Sequence, residues 1–131
     1  MNKPHKNLDA WKKGMTLVEE VYRLTSSYPR HEQYGLVDQM RRSAVSIPAN
    51  IAEGAARQTK REFAQFLHIA RGSLSELDTY VDLSSRLAYA TLDSSSRIPQ
   101  LLEDIDRMLS GLIRRSSAIS RLPSPVSHTH D

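Results

Sequence analysis

Apolar residues recur at spacings of three and four through four stretches of the chain, the pattern of one buried face on an α-helix. In the first stretch Leu8, Trp11, Met15, Val18, Tyr22 and Thr25 form the line. It predicts a helix ended by "SSYPRHEQ", with Pro29 as the breaker. The second runs from about Gln33 to Arg57, with Leu36, Met40, Ser43 or Ala44, Ile47 and Ile51 on one line. In "GAARQTKRE" the chain turns, and Thr59 is placed to cap a third helix with Glu62 completing a capping box. The third line is Phe63, Leu67, Ala70, Leu74, Leu77 and Val81, flanked by Phe66, Tyr80 and Leu87. "LDSSSRIPQ" breaks the chain again, and Ile98, Leu101, Leu102, Ile105, Leu109 and Leu112 define a fourth helix, with Pro99 in its tolerant first turn. From Leu122 the end "LPSPVSHTHD" has two prolines and no periodicity, which predicts a disordered tail over 122–131.

Nothing reads as a strand. Four long helices with short connections predict an all-α fold, an up-down-up-down antiparallel four-helix bundle over 1–121, with helices roughly 30 to 45 Å long. The apolar surface exceeds one simple stripe per helix. Helix one carries a second line, Leu17, Val21, Leu24 and Tyr28, and helix three adds Ile69 and Leu83. Such widened arcs have two explanations, burial against other subunits or a broad core-facing stripe.

Composition narrows the chemistry. The chain has 131 residues, 39% hydrophobic and 25% charged, a globular profile of one-domain size. No apolar run approaches the roughly 18 to 20 residues of a membrane span, and "MNKPHKNLDAWKK" lacks the apolar core of a secretion signal, so a cytoplasmic protein without membrane contact is expected. The absence of cysteine removes disulfides, thiolate nucleophiles and cysteine-ligated metals. Di-iron bundles need Glu-x-x-His, and this chain has none. Of its five histidines only His68 lies within a helix body, where a surface role is the common one. There is no glycine-rich phosphate loop and no G-x-S-x-G elbow. No cofactor, no metal and no catalytic residue is expected.

The stretch "QMRRSAVSIPANIAEGAAR" is unusual, because Pro48 interrupts a helical pattern and Ser46, Asn50 and Glu53 surround it. A functional reading makes Asn50 and Glu53 the polar groups of a ligand pocket. The structural reading starts from the proline, which frees the carbonyl of Ala44 and costs roughly 3 kcal/mol in an ordinary helix interior. Neighbouring polar side chains then serve the disturbed backbone, and Glu53 lies four residues before Arg57, the favourable order for a helical ion pair. The structural reading is preferred. Small residues from Ser43 to Ala56, with "RGS" at 71 to 73, point to close helix approach.

Charge changes the picture once it is folded onto a bundle. The net charge is only +3. In an up-down-up-down order, 1–17, 45–74 and 108–130 share one half, and there 11 basic residues face 3 acidic ones, a balance of +8. Residues 18–44 and 75–107 carry 7 basic and 11 acidic groups, or −4. Helix dipoles explain cations at helix ends, here Arg57, Arg114 and Arg115, but not Lys12, Lys13, Lys60 and Arg61 in first turns. A basic pole built partly against the dipole suggests an anionic partner, with phosphate backbone the natural candidate. Trp11, Phe63 and Phe66 lie on core lines, which argues against base stacking there.

The blocks "YGLVDQMRRSAVSIPANIAEG" and "FLHIARGSLSEL" make residues 8 to 118 resemble the four-helix-bundle proteins called 23S rRNA intervening-sequence proteins. That resemblance implies a small bacterial protein forming a ring-shaped homopentamer, similar in fold to a basic pentamer that binds nucleic acid and a reverse transcriptase. It carries over no catalytic residue. The signature positions Gln39, Arg42, Ser46, Pro48, Asn50, Glu53 and Gly54 look like determinants of fold and assembly. The leading reading is a non-enzymatic, oligomeric nucleic-acid-binding protein that contacts RNA or DNA phosphates through Lys12, Lys13, Arg57, Lys60, Arg61, Arg114 and Arg115. The alternative is a structural or adaptor oligomer with a protein partner and no nucleic acid.

Overall fold

A computed structural model describes residues 1–90 and 96–120, the side chains of 117–120 excepted. The expected tail at 122–131 lies outside the described residues. Four α-helices make up the fold of the described residues: α1 (Asp9–Thr25), α2 (Leu36–Ala55), α3 (Lys60–Arg86) and α4 (Ile98–Ser120). Short 3-10 turns at Pro4–Asn7 and Arg30–Glu32 precede α1 and α2. Contacts join α1 to α2, α2 to α3, α3 to α4 and α4 back to α1. That closed square of sequential neighbours is an antiparallel four-helix bundle.

The helix limits follow local chemistry. Thr59 caps α3 by accepting the Glu62 backbone N–H at 3.1 Å, and its hydroxyl donates to the Glu62 carboxylate at 3.0 Å. At the start of α2, Glu32 Oε1 accepts the Leu36 N–H at 3.2 Å. The same carboxylate accepts the Tyr89 hydroxyl at 2.8 Å, tying the head of α2 to the chain after α3. That bond, followed by the one from the Leu36 N–H, holds the Glu32 carboxyl below its usual range. Helix α3 ends with Ala88 at φ 60°, a left-handed stop that lets the Tyr89 N–H reach the Ser84 carbonyl at 2.9 Å.

The core is formed by the expected lines of three helices. Met40, Ala44, Ile47 and Ile51 of α2, Leu67, Ala70, Leu77 and Val81 of α3, and Ile98, Ile105 and Leu109 of α4 are all buried. On α1 the expectation fails. Ala10, Gly14, Leu17, Val21 and Tyr28 are buried, so the line read as surplus forms the core, whereas of the line read as core only Thr25 is buried, with Leu8, Trp11 and Val18 half-buried. Met15 and Tyr22, on the line read as core, are 44% and 43% exposed. The reason is backbone proximity. Ala10 and Gly14 continue the Leu17–Val21 line, and a Cβ on Gly14 would lie 3.4 Å from Pro48 Cβ, so α1 packs on α2 through its smallest residues.

Helix α2 runs unbroken through the buried Pro48. Asn50 Nδ2 donates to the Ser46 carbonyl at 2.8 Å and to its hydroxyl at 2.9 Å, and that hydroxyl lies 2.8 Å from Ser73 Oγ on α3. Asn50 therefore bonds one turn back on its own helix, at Ser46 and not at the Ala44 carbonyl that the proline frees, and joins the α2–α3 seam. Glu53 does not share this duty, because its exposed carboxylate accepts from Arg57 at 2.7 Å, the ion pair its spacing implies. Gly54 marks a close approach of α2 to α3, since a Cβ there would fall 2.7 Å from Phe66 Cβ and 2.9 Å from Phe63 Cδ1. Gln39 and Arg42 lie on the exposed side of α2, where Arg42 pairs with Asp38 at 3.1 Å.

Candidate nucleic-acid interface

Four lateral contacts link the helices in the middle of the bundle. Gly14 meets Pro48, Ser46 meets Ser73, Arg71 donates to Ser110 at 3.3 Å, and Lys13 pairs with Asp104 at 3.2 Å. Because neighbours are antiparallel, earlier residues of α1 and α3 and later residues of α2 and α4 all lie toward the same end. At 1.5 Å per residue, Arg57, Lys60 and Arg61 sit about 13 to 20 Å beyond the contacts on their own helices, at the tip. Arg114 and Arg115 are about 6 to 8 Å beyond Ser110 and about 15 to 17 Å beyond Asp104, toward the same end. Lys12 lies at the level of the Gly14 contact.

Partners divide the seven predicted cations. Among the described residues, no carboxylate lies within ion-pair distance of Lys12, Lys60, Arg61, Arg114 or Arg115, and all five are exposed. Arg57 is held by Glu53 and lies over the Phe66 ring, 4.8 Å from its centroid, a fixed guanidinium with one side bound. Lys13 is the most committed. Its partner Asp104 also accepts from Gln100 and Arg107, both at 2.9 Å. The Gln100 bond, then those from Arg107 and Lys13, hold the Asp104 carboxyl at about 2. The structure thus gathers Arg57, Lys60 and Arg61 at one tip, adds Arg114 and Arg115 along α4, and turns Lys13 toward a structural pair. Arg121, counted in the basic half, lies outside the described residues.

Sequence reasoning missed what the tip encloses. The Pro4–Asn7 turn folds back over the junction of α2 and α3, leaving a cleft of about 330 Å³ lined by Pro4, His5, Leu8, Gly54, Ala55, Arg57, Gln58, Thr59, Lys60 and Phe63. His5 stands edge-on to Trp11 with ring centroids 5.3 Å apart, which anchors the turn on α1. Phe63, assigned wholly to the core by its spacing, is half-buried and forms part of this wall. Pro4 was the one local signal for the turn, since its φ suits the first position of a short helix.

A family model for the 23S rRNA-intervening sequence protein matches residues 6–111. The chain belongs to this family. The match runs from the last residues of the turn before α1 into α4, and so includes Arg57, Lys60, Arg61 and the cleft-lining residues from Leu8 to Phe63, but not Pro4, His5, Arg114 or Arg115. Among solved structures, a protein of unknown function from the S23 ribosomal protein family of Bacteroides thetaiotaomicron VPI-5482 superposes with a TM-score of 0.56 at 21% identity. The alignment covers 86% of this chain and 99% of that one, and shows a shared fold. No curated protein matches the chain significantly. Among the described residues, no helix of this family member is long and apolar enough to cross a membrane.

Proposed function

We propose that this 23S rRNA-intervening sequence protein is a non-enzymatic oligomer that binds nucleic-acid phosphates through its basic end. The observation that carries the reading is the group of exposed cations at and near this end, Lys60, Arg61, Arg114 and Arg115, which have no carboxylate partner among the described residues. Lys60 and Arg61 occupy the first turn of α3, where the helix dipole opposes positive charge, so helix stability does not account for them. Exposed cations with no internal partner suit phosphate contacts that release counterions.

Assembly as a homopentamer is proposed with it. Met15 and Tyr22 on α1, Val45 on α2, Ile69 and Leu83 on α3 and Leu87 just after it are large apolar side chains left 40% to 51% exposed. Burial of such faces between copies removes them from water. Light scattering at micromolar concentration should give five times the chain mass; a monomer mass would refute the assembly. RNA should be retained at low salt and released steeply as salt is raised. The double substitution Lys60→Glu with Arg61→Glu should abolish retention, and undiminished binding by that variant would sink the proposed face.

One observation favours a second reading, an adaptor that binds a protein. A groove of about 530 Å³ between α3 and α4 has Leu74, Val81 and Leu102 in its floor and Asp78, Asp82, Glu103 and Asp106 around it. Burial, then the Asp82 charge, pushes the Asp78 carboxyl up. A cationic partner segment would relieve that repulsion.

A further inference from the structure

The cleft at the tip has a composition that phosphate contacts alone do not require. Its walls are apolar where Pro4, Leu8, Ala55 and Phe63 meet, and Arg57 and Lys60 stand among its lining residues. We propose that this cleft receives one unstacked nucleobase, so that the protein selects unpaired nucleotides over duplex. The inference rests on the phosphate-binding reading of the same end.

Size and chemistry agree. A volume of about 330 Å³ is at the small end of the roughly 300 to 1,000 Å³ of small-molecule pockets, enough for a flat heterocycle. Arg57 is positioned beforehand by Glu53 and Phe66, at 2.7 Å and 4.8 Å, so ordering it on binding costs little. Gln58 is exposed among the lining residues and offers both a donor and an acceptor, the complement of a base edge. The Thr59 hydroxyl offers no donor, because its proton goes to the Glu62 carboxylate. A paired base must first leave its stack to enter such a cleft, whereas an unpaired base enters without that cost. A face built for backbone phosphates alone gains nothing from an open apolar cleft between its cations.

The test compares equal-length single-stranded RNA, single-stranded DNA, duplex RNA and inorganic polyphosphate by fluorescence anisotropy at one salt concentration. Single strands should bind at least tenfold more tightly than duplex, and a 2-aminopurine placed in the strand should change its emission on binding. Any preference between the two single strands reports contact with the sugar. Ala55→Leu fills the cleft without removing a charge, and should reduce the single-strand to duplex ratio at least threefold. His5→Ala removes a wall outside the four helices and should act in the same direction, which keeps the test decisive if Ala55→Leu disturbs folding by circular dichroism. A wild-type ratio near one, or a ratio unchanged in both variants, while polyphosphate still binds, overturns the cleft and leaves the phosphate reading standing. Failure of all four probes to bind removes both.

Discussion

The hydroxyls of Ser46 and Ser73 lie 2.8 Å apart across the α2–α3 seam, and Asn50 closes the pair from the next turn of α2. The proline-containing stretch is thereby a polar clasp between two helices. Replacing Asn50 with Leu removes two hydrogen bonds from a half-buried site and leaves the Ser46 carbonyl one acceptor bond poorer. We expect a loss of about 1–2 kcal/mol, a fall in melting temperature of about 3–8 °C. Unaltered thermal unfolding would show that the clasp contributes nothing.

Three glycines in helices should respond differently to alanine. At Gly54 the new Cβ would lie 2.7 Å from Phe66 Cβ and 3.2 Å from the Phe63 carbonyl oxygen, so either helix must move, costing about 1–3 kcal/mol. At Gly14 the nearest atom is at 3.4 Å, ordinary contact, and the overall change should be small. At the exposed Gly72 nothing lies within 4 Å, and alanine should stabilise by about 0.8–1 kcal/mol through helix propensity. Urea unfolding of the three variants gives the order directly. Equal effects at Gly54 and Gly72 would contradict the close approach of α2 to α3.

Asp104 gives the bundle a defined acid response. Its carboxyl is held at about 2 by Gln100, Arg107 and Lys13, below the unfolded value of about 3.9. The folded state therefore binds fewer protons there, and the stabilisation is present above about pH 4 and is lost as the pH falls through about 2. Asp104→Asn should be less stable than the parent protein at pH 7, with the gap narrowing between pH 4 and pH 2. Melting curves across that range measure it; a gap independent of pH would mean that the contacts of Asp104 do not depend on its charge.

Much of this was legible along the chain, because it is local. Thr59 and Glu62 are three residues apart and Glu53 and Arg57 four, distances that a helix converts into contact without help from the rest of the fold. Buried lines on α2, α3 and α4 were readable because each helix has one dominant apolar face. The basic end was legible as a charge balance, whereas its internal division was not. Lys13 and Asp104 are 91 residues apart, and nothing near either one announces the other.

The sequence by itself determined four helices, their approximate ends, their antiparallel order and the clustering of positive charge at one end, since each depends on periodicity, capping or connection length. Tertiary structure decided which of the two apolar lines of α1 faces inward. Periodicity scores Trp11, Met15 and Tyr22 above Ala10 and Gly14, but packing favours the line whose small residues let the α1 and α2 backbones meet at Pro48. It also decided that Phe63 borders a cleft, because that surface exists only once the Pro4–Asn7 turn lies against the ends of α2 and α3. Both outcomes depend on the closeness of segments far apart in the chain, which a pattern along one segment does not contain.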